Sequence, residues 1–206
     1  MGEILVTLGV LVFLFMGYMY WGTAMRASGA QRSFAGELDR EWGHHVAGPA
    51  TADPGSLRLA LGRPFAFIRI PAFGARWKFA IVQGTDLAQL ALGPGHVPGT
   101  QLPGQLGNFA VAGHRVTAGN PFWNLPRLHA GDRVFVQTRA ATYEYQVFGR
   151  PELVSPLAES VLAEVPGQPG QPPTQRLITL ITCDPAWTGT HRLVVTGVLV
   201  KTRRQG

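Results

Sequence analysis

The sequence predicts an all-β domain, a barrel or a sandwich, that follows an N-terminal membrane-spanning helix. Two observations predict the β domain. The chain of 206 residues contains 26 glycines and 16 prolines, and its later apolar runs are short and rich in Val, Ile, Phe and Tyr. So much turn chemistry argues against a helical bundle and for short strands joined by loops. The third observation is an uncharged apolar run close to the N-terminus.

This apolar run covers residues 4–21. A helix of that length reaches about 27 Å, close to the roughly 30 Å of a bilayer core. Aromatic residues, which favour the membrane interface, stand at its end as Tyr18, Tyr20 and Trp21. We therefore expect residues 1–22 to form an uncleaved, single-pass transmembrane anchor. The alternative is a cleaved signal peptide, although its apolar stretch normally covers only about 7–15 residues.

The charges beside the run bear on its orientation. Only Glu3 precedes it, whereas Arg26 and Arg32 follow it, so the positive-inside rule alone would leave the following domain inside the cell. Our hypothesis is that a basic cytoplasmic segment lies upstream of this chain and sets the opposite orientation.

Residues 23–56 are expected to form a stalk and a linker. Residues 24–42 lack proline and carry good helix formers, which predicts a short helix. The Gly- and Pro-containing sequence that follows predicts a linker up to residue 56. His44 and His45 lie in this linker without a spaced third ligand, so we interpret them as solvated side chains and not as a metal site.

Residues 57–206 are expected to form the folded domain. Turn signals separate seven candidate strands, at residues 65–70, 78–83, 108–112, 133–139, 142–148, 176–183 and 192–201. Short helical turns are predicted at 86–92 and 157–164, and a turn at 93–96. Strands at this spacing predict a barrel or sandwich whose edges are closed or covered.

Composition limits the classes of partner and cofactor. The chain has a net charge of +6, and residues 57–206 carry fifteen Arg and Lys against seven acidic residues. A basic domain can meet nucleic acid, an anionic membrane or an anionic wall polymer, but no zinc finger or aromatic-studded basic run supports nucleic acid. With one cysteine and no acidic cluster, we expect no disulfide, no metal and no cofactor.

Cys183 is that cysteine, and it ends an apolar strand immediately before Asp184. A lone cysteine is commonly a small buried hydrophobe, but one at a strand end is easily exposed to a loop. If the last two strands form a hairpin with a symmetric register, Cys183 lies opposite Arg192, with Cβ atoms about 4.5–5.5 Å apart. The guanidinium would then face a sulfur nucleophile or its oxyanion; the alternative is a surface arginine without a role.

A reactive thiol needs a proton partner, and imidazole is the natural one. His114 follows Gly113 at the end of a candidate strand and is the favoured partner. His191 adjoins Arg192 but would face the other side of its strand, and it stays as the alternative. His96 and His129 are expected to be solvated loop residues.

Several ordered motifs carry a family resemblance. They are Leu92-Gly93-Pro94-Gly95-His96-Val97-Pro98-Gly99-Thr100, Ala112-Gly113-His114-Arg115, Thr179-Leu180-Ile181-Thr182-Cys183 and Arg192. In this order the motifs resemble a sortase, most closely a class E sortase. The resemblance implies a closed eight-stranded β-barrel with a few short helices, outside the membrane and tethered by one N-terminal helix. It matches residues 154–173 to a loop that lines the substrate site.

The resemblance also implies an activity. The enzyme would be a cysteine transpeptidase that cuts a C-terminal sorting signal of LAxTG or LPxTG type between Thr and Gly. Cys183 would form a thioacyl-enzyme, His114 would act as general acid and base, and Arg192 would stabilise the oxyanion or the substrate. The partners would be secreted proteins that bear sorting signals, and an amine of a peptidoglycan precursor or a pilin lysine.

Two other functions remain open on the residues alone. One is a membrane-anchored thiol protease that resolves the same thioacyl intermediate with water. The other is a non-enzymatic wall-associated β module whose cysteine is structural. The accessibility of the thiol separates the second from both enzymes, and the fate of a peptide in the presence of an amine separates the enzymes from each other.

Overall fold

The computed structural model describes residues 2–43 and 59–205. Its N-terminal part is helical: α1 (Gly2–Gly17), a π-helical turn (Tyr18–Gly22) and α2 (Thr23–Gly43) follow one another without a break. Within these described ranges, no helix combines the length and the apolarity that crossing a bilayer requires. The membrane anchor at residues 1–22 stays a prediction. The predicted linker with His44 and His45 lies outside the described residues.

Eight strands close into a barrel, which confirms the predicted all-β class. The strands are β1 (Pro64–Arg69), β2 (Lys78–Gln83), β3 (Gly95–His96), β4 (Gly107–Ala112), β5 (Arg133–Gln137), β6 (Ala141–Val154), β7 (Arg176–Asp184) and β8 (His191–Arg204). Around the barrel they run in the order β1, β2, β3, β4, β7, β8, β6, β5. The pairs β2–β3 and β4–β7 are parallel, and the other pairs are antiparallel.

All seven predicted strands are present, and β3 is the eighth. It falls in residues 93–96, so the turn predicted there is wrong for Gly95 and His96. Gly95 serves a close strand approach: a Cβ on it would lie 2.1 Å from the carbonyl oxygen of Gly84. The predicted helical turns are short, with α3 at Leu87–Leu90 and a 3-10 turn at Glu159–Leu162.

The inward-facing side chains of the strands form the core of the barrel. In β5 they alternate with outward-facing ones, so that Val134 and Val136 are buried and their neighbours are partly exposed. The loop after β4 adds Phe122 and Leu125 to the same core cluster. Burial of these aliphatic and aromatic groups is the main stabilisation of the barrel, and it fixes the strand ends that carry the site.

Helix α2 confirms the helix predicted at residues 24–42, and it lies on the barrel. Leu38 is buried in a small cluster with Phe67 of β1 and Ala80 of β2. The ring of Trp42 meets that of Phe67 edge-on, with centroids 5.4 Å apart. The described part of the segment expected to be a stalk, residues 23–43, is therefore a packed element beside β1 and β2.

Candidate active site

The hairpin of β7 and β8 brings the cysteine and an arginine together. Cys183 pairs with Arg192 in the antiparallel register, and Thr182 pairs with Leu193. This register is the one that the sequence predicted from loop length. Both side chains are partly exposed, so the thiol is not enclosed in the core.

The loop between β7 and β8 holds the arginine in place. Nη1 of Arg192 donates to the carbonyl oxygens of Gly189, at 2.9 Å, and His191, at 3.2 Å. Gly189 has a φ of 63° and lies directly beside the thiol. A Cβ on Gly189 would lie 3.6 Å from Sγ of Cys183 and 3.9 Å from Nη1 of Arg192. The sulfur and the guanidinium therefore border one small space.

His114 is positioned by the parallel pairing of β4 with β7. Ala112 pairs with Ile181, and the amide of Gly113 continues the ladder by donating to the carbonyl of Ile181 at 3.0 Å. The hydroxyl of Thr182 donates to the carbonyl of Gly113 at 2.8 Å. These bonds hold the backbone next to His114 against the residues that precede Cys183. Sequence spacing gives no hint of this contact, because the two segments lie far apart in the chain.

Residue 113 must be small for this arrangement to form. A Cβ on Gly113 would lie 2.7 Å from the ring of Phe122, which packs over the strand end. The amide of Phe122 in turn donates to the carbonyl of His114 at 3.1 Å. Burial lowers the pKa of His114 below the usual 6.5, which favours the neutral imidazole at neutral pH.

Cys183, His114 and Arg192 line one groove of about 690 Å³. Thr85, Asp86 and three residues of α3, Leu87, Ala88 and Leu90, also line the groove. Leu87 of α3 is 82% exposed, which leaves an apolar side chain open at the rim. Residues 154–173, which the resemblance matched to a substrate-lining loop, are absent from the residues that line this groove.

An ion pair that the sequence analysis did not assign connects the neighbours of the two reactive residues. Arg115 follows His114, Asp184 follows Cys183, and Nη1 of Arg115 bonds Oδ1 of Asp184. The same nitrogen donates to the carbonyl of Cys183 at 3.3 Å. Both side chains are about four-fifths buried. The signal was available in the sequence as two opposite charges, each adjacent to a candidate residue.

The other three histidines in the described residues differ in exposure. His191 and His129 are exposed, and neither lines the groove. The expectation for His96 is wrong, since it is 3% exposed in the barrel wall as part of β3. Its ring nitrogens lie 2.7 Å from Oε1 of Gln83 and 3.0 Å from Oγ1 of Thr100. Burial lowers the pKa of His96 to about 4.

The groove thus contains a thiol, a neutral imidazole and a fixed cation. A thiol with an adjacent base is suited to nucleophilic attack on a carbonyl carbon, and a guanidinium can stabilise the oxyanion that forms. Over residues 2–43 and 59–205 no three His, Cys, Asp or Glu side chains cluster in a way that could hold a metal ion.

Comparisons with known proteins agree with this chemistry. The family model described as "Sortase domain" matches residues 68–200. Sortase SrtE1 of Streptomyces coelicolor is 34% identical over 206 residues, which cover 98% of this chain and 57% of that protein. The chain therefore spans little more than half the length of that relative.

Solved structures give the same picture. Sortase E from Streptomyces avermitilis superposes with a TM-score of 0.64 at 37% identity, over 70% of this chain and 93% of that one. Sortase E1 from Streptomyces coelicolor with a tripeptide in the active site has a TM-score of 0.64 at 35% identity. That match covers 71% of this chain and 93% of the other.

Proposed function

The chain belongs to the sortase family of cysteine transpeptidases, and we propose that it joins secreted proteins to a cell-surface amine through a thioacyl-enzyme. The observation that carries this proposal is that one groove is lined by Cys183, His114 and Arg192. Two of the three lie 69 positions apart in the sequence. Their meeting at one rim of the barrel is what an acyl-transfer site requires.

In the first half of the proposed reaction, Sγ of Cys183 attacks the carbonyl carbon of the Thr–Gly bond. The thiol proton passes to the imidazole of His114, which the lowered pKa keeps unprotonated and able to accept a proton at neutral pH. Arg192 stabilises the oxyanion of the tetrahedral intermediate. The C–N bond then breaks, the imidazolium gives its proton to the departing glycine amine, and the threonine stays on the enzyme as a thioester.

In the second half, the acceptor amine attacks the thioester carbon. His114 takes a proton from the amine, the new C–N bond forms, and the C–S bond breaks. The proton returns to the sulfur of Cys183, which restores the starting thiol. Water in place of the amine would give the free acid instead, so access of the amine decides between transfer and hydrolysis.

Membership of the family supports a proposal for the substrate class. We propose a C-terminal signal of LAxTG or LPxTG type, bound in extended form along the groove. In a related class E enzyme a tripeptide occupies the active site, which supports peptide binding at the equivalent position. Leu87 offers an exposed apolar contact at the rim for a leucine or alanine side chain of the signal. The acceptor is a peptidoglycan cross-bridge amine or a pilin lysine.

A peptide assay on the full chain in detergent tests the proposal. Fluorogenic LAxTG and LPxTG peptides are incubated with and without triglycine, and the products are identified by mass spectrometry. We expect cleavage between Thr and Gly and, with triglycine, a new Thr–Gly₃ product. Free acid as the sole product would indicate a thiol protease. A native protein whose thiol resists a small methanethiosulfonate reagent would indicate a structural cysteine and a non-enzymatic module.

Variants with matched controls test the three roles. Cys183→Ala abolishes the thioacyl-enzyme. His114→Ala lowers turnover by about 10²–10⁴-fold, whereas His191→Ala, at an exposed histidine outside the groove, leaves it unchanged. Arg192→Lys is also severe because a planar donor becomes a point charge, and Arg203→Lys on the exposed end of β8 is its control. Near-normal turnover of Arg192→Lys would remove that residue from the mechanism.

We also propose that residues 1–22 attach the protein to the cell membrane with residues 57–206, the catalytic domain, outside. Helix α1 buries none of its residues, and its Phe13 is 76% exposed. Such a surface needs an apolar partner. The full chain is expected in the membrane fraction, to be released by detergent and not by salt. N-terminal sequencing of the mature protein distinguishes an anchor from a cleaved signal peptide.

A further inference from the structure

The side-chain amide of Gln31, on α2, is built into the barrel wall. Its Oε1 accepts from the amide of Ala80 at 2.6 Å. Its Nε2 donates to the carbonyls of Ala80, at 3.2 Å, and of Leu92, at 2.9 Å. Thus one glutamine binds both backbone groups of a residue in β2 and, at the same time, the segment that follows α3.

The need for these bonds comes from the shortness of β3. Strand β2 pairs with β3 only at Val82 and Gln83, so Ala80 lies beyond the end of its neighbour. The N–H and C=O of Ala80 would be left without a strand partner on that side, and Gln31 supplies one. A partly buried peptide group that loses its partner is costly, so the amide has a defined task in the barrel.

Gly93 shows how closely the helix and the wall are fitted. A Cβ at this position would lie 2.2 Å from Nε2 of Gln31, and φ is 154°. Only glycine lets the backbone come this close to the amide. Leu92 and Gly93 follow α3 after Ala91, and three residues of α3 line the same groove as Cys183. The hydrogen bond from Gln31 to Leu92 therefore holds the segment that follows α3, next to residues that line the groove.

Helix α2 also lies close to the loop that carries His114. Ala27 is 1% exposed, and its Cβ lies 3.8 Å from the position that a Cβ on Gly119 would take. Gly119 belongs to the loop that starts with His114 and returns to it through Phe122. Helix α2 therefore touches both chain segments that frame the groove, the α3 segment and the His114 loop.

We propose that α2 is a working part of the catalytic unit and that Gln31 is a positioning residue, which holds the α3 wall of the groove where a peptide must bind. Its effect on turnover rests on the proposed function, whereas its effect on the wall does not.

The test uses three variants of the full chain. Gln31→Glu keeps the shape and the acceptor for Ala80 N–H but places an oxygen against the two carbonyls; Gln31→Ala removes the amide. Ser33→Ala, at an exposed position on the same helix, is the control. Amide hydrogen exchange of residues 85–93 is the first readout, and both Gln31 variants are expected to exchange at least about tenfold faster there. Ser33→Ala is expected to match the wild type.

Peptide kinetics and thiol labelling are the second readout. A displaced wall raises KM for the sorting peptide by about tenfold with kcat little changed, because Cys183, His114 and Arg192 lie on other elements. Labelling of Cys183 by the small thiol reagent keeps its wild-type rate. A variant that merely loses stability would lower the unfolding temperature with KM unaffected, and this result would overturn the proposal.

Failure of this proposal is distinguishable from failure of the proposed function. If both Gln31 variants leave the amide hydrogen exchange rate of residues 85–93 unchanged, the positioning role is refuted, whether or not any peptide is cleaved. Suppose that the wild-type protein cleaves no sorting peptide, while Gln31→Glu still accelerates exchange of residues 85–93. The proposed function is then refuted, and the positioning role is supported.

Discussion

The buried His96 makes the barrel acid-labile by an amount that can be worked out. In the unfolded chain the imidazole has its ordinary pKa of 6.5, and burial lowers the pKa in the folded protein to about 4. The folded pKa is the lower one, so between these values the unfolded state binds a proton that the folded state does not. Stability is therefore fully present above about pH 6.5 and falls as the pH decreases towards 4.

The size follows from the two pKa values. Each unit of difference corresponds to about 1.4 kcal/mol, so the whole effect is about 3 kcal/mol, of which about 2 kcal/mol is lost by pH 5. This is a sizeable share of the roughly 5–15 kcal/mol that a typical domain has. Carboxylates contribute mainly at lower pH, so the window from pH 7 to pH 5 reports on the buried histidines. Burial also lowers the pKa of His114, so a comparison with a His96 variant is needed to isolate the share of His96.

Urea unfolding of the full chain at pH 7, 6 and 5 measures this loss. The variant His96→Gln has no titrating group in the wall, so its free energy of unfolding is lower at pH 7 but changes less between pH 7 and pH 5. The expected difference between the two pH dependences is about 2 kcal/mol. Parallel curves for wild type and His96→Gln would refute the reasoning, because the acid lability would then come from other groups.

Three further predictions concern the groove. Asp184→Asn is expected to lower the free energy of unfolding by about 1–3 kcal/mol and to slow peptide turnover, since it breaks the ion pair with Arg115; a variant with both values unchanged contradicts this. Gly189→Ala costs roughly 1–2 kcal/mol at its positive φ and slows thiol labelling, because the methyl would lie 3.6 Å from Sγ. Gly170→Ala, with positive φ but open space around it, should lose stability only. In the pH profile of kcat/KM the acid limb is expected below pH 6.5, as burial lowers the pKa of His114; a limb above 6.5 would show that another group titrates.

The sequence allowed the strands and the pairing of Cys183 with Arg192 to be predicted because both depend on local information. Alternating β-branched residues mark a strand, and a short loop between two strands sets their register. The one missing strand, β3, is two residues long and contains glycine. No periodicity can be read from two residues, so the sequence predicts a loop at His96, although its side chain is buried.

The contacts between distant segments could not be predicted in this way. The amide of Gln31 binds backbone atoms, and a backbone partner leaves no mark on the sequence at its own position. Asp184 and Arg115 carry a stronger signal, since each follows a candidate reactive residue, but their pairing depends on the parallel contact of β4 with β7. Contacts between side chains from distant segments can be predicted only when the strand order of the barrel is known.

The continuous helical run from α1 into α2 affects the distance from the membrane at which the groove can meet a substrate. An enzyme attached through a flexible linker can reach substrates throughout a volume above the cell surface. Here α2, whose 21 residues span about 30 Å, packs against the barrel through Leu38 and Gln31, so the groove is held close to the helix that continues from residues 1–22. If residues 1–22 lie in the bilayer, the groove stays near the membrane surface while the protein diffuses laterally. A substrate protein must then bring its C-terminal segment to the groove near the membrane surface, soon after its export.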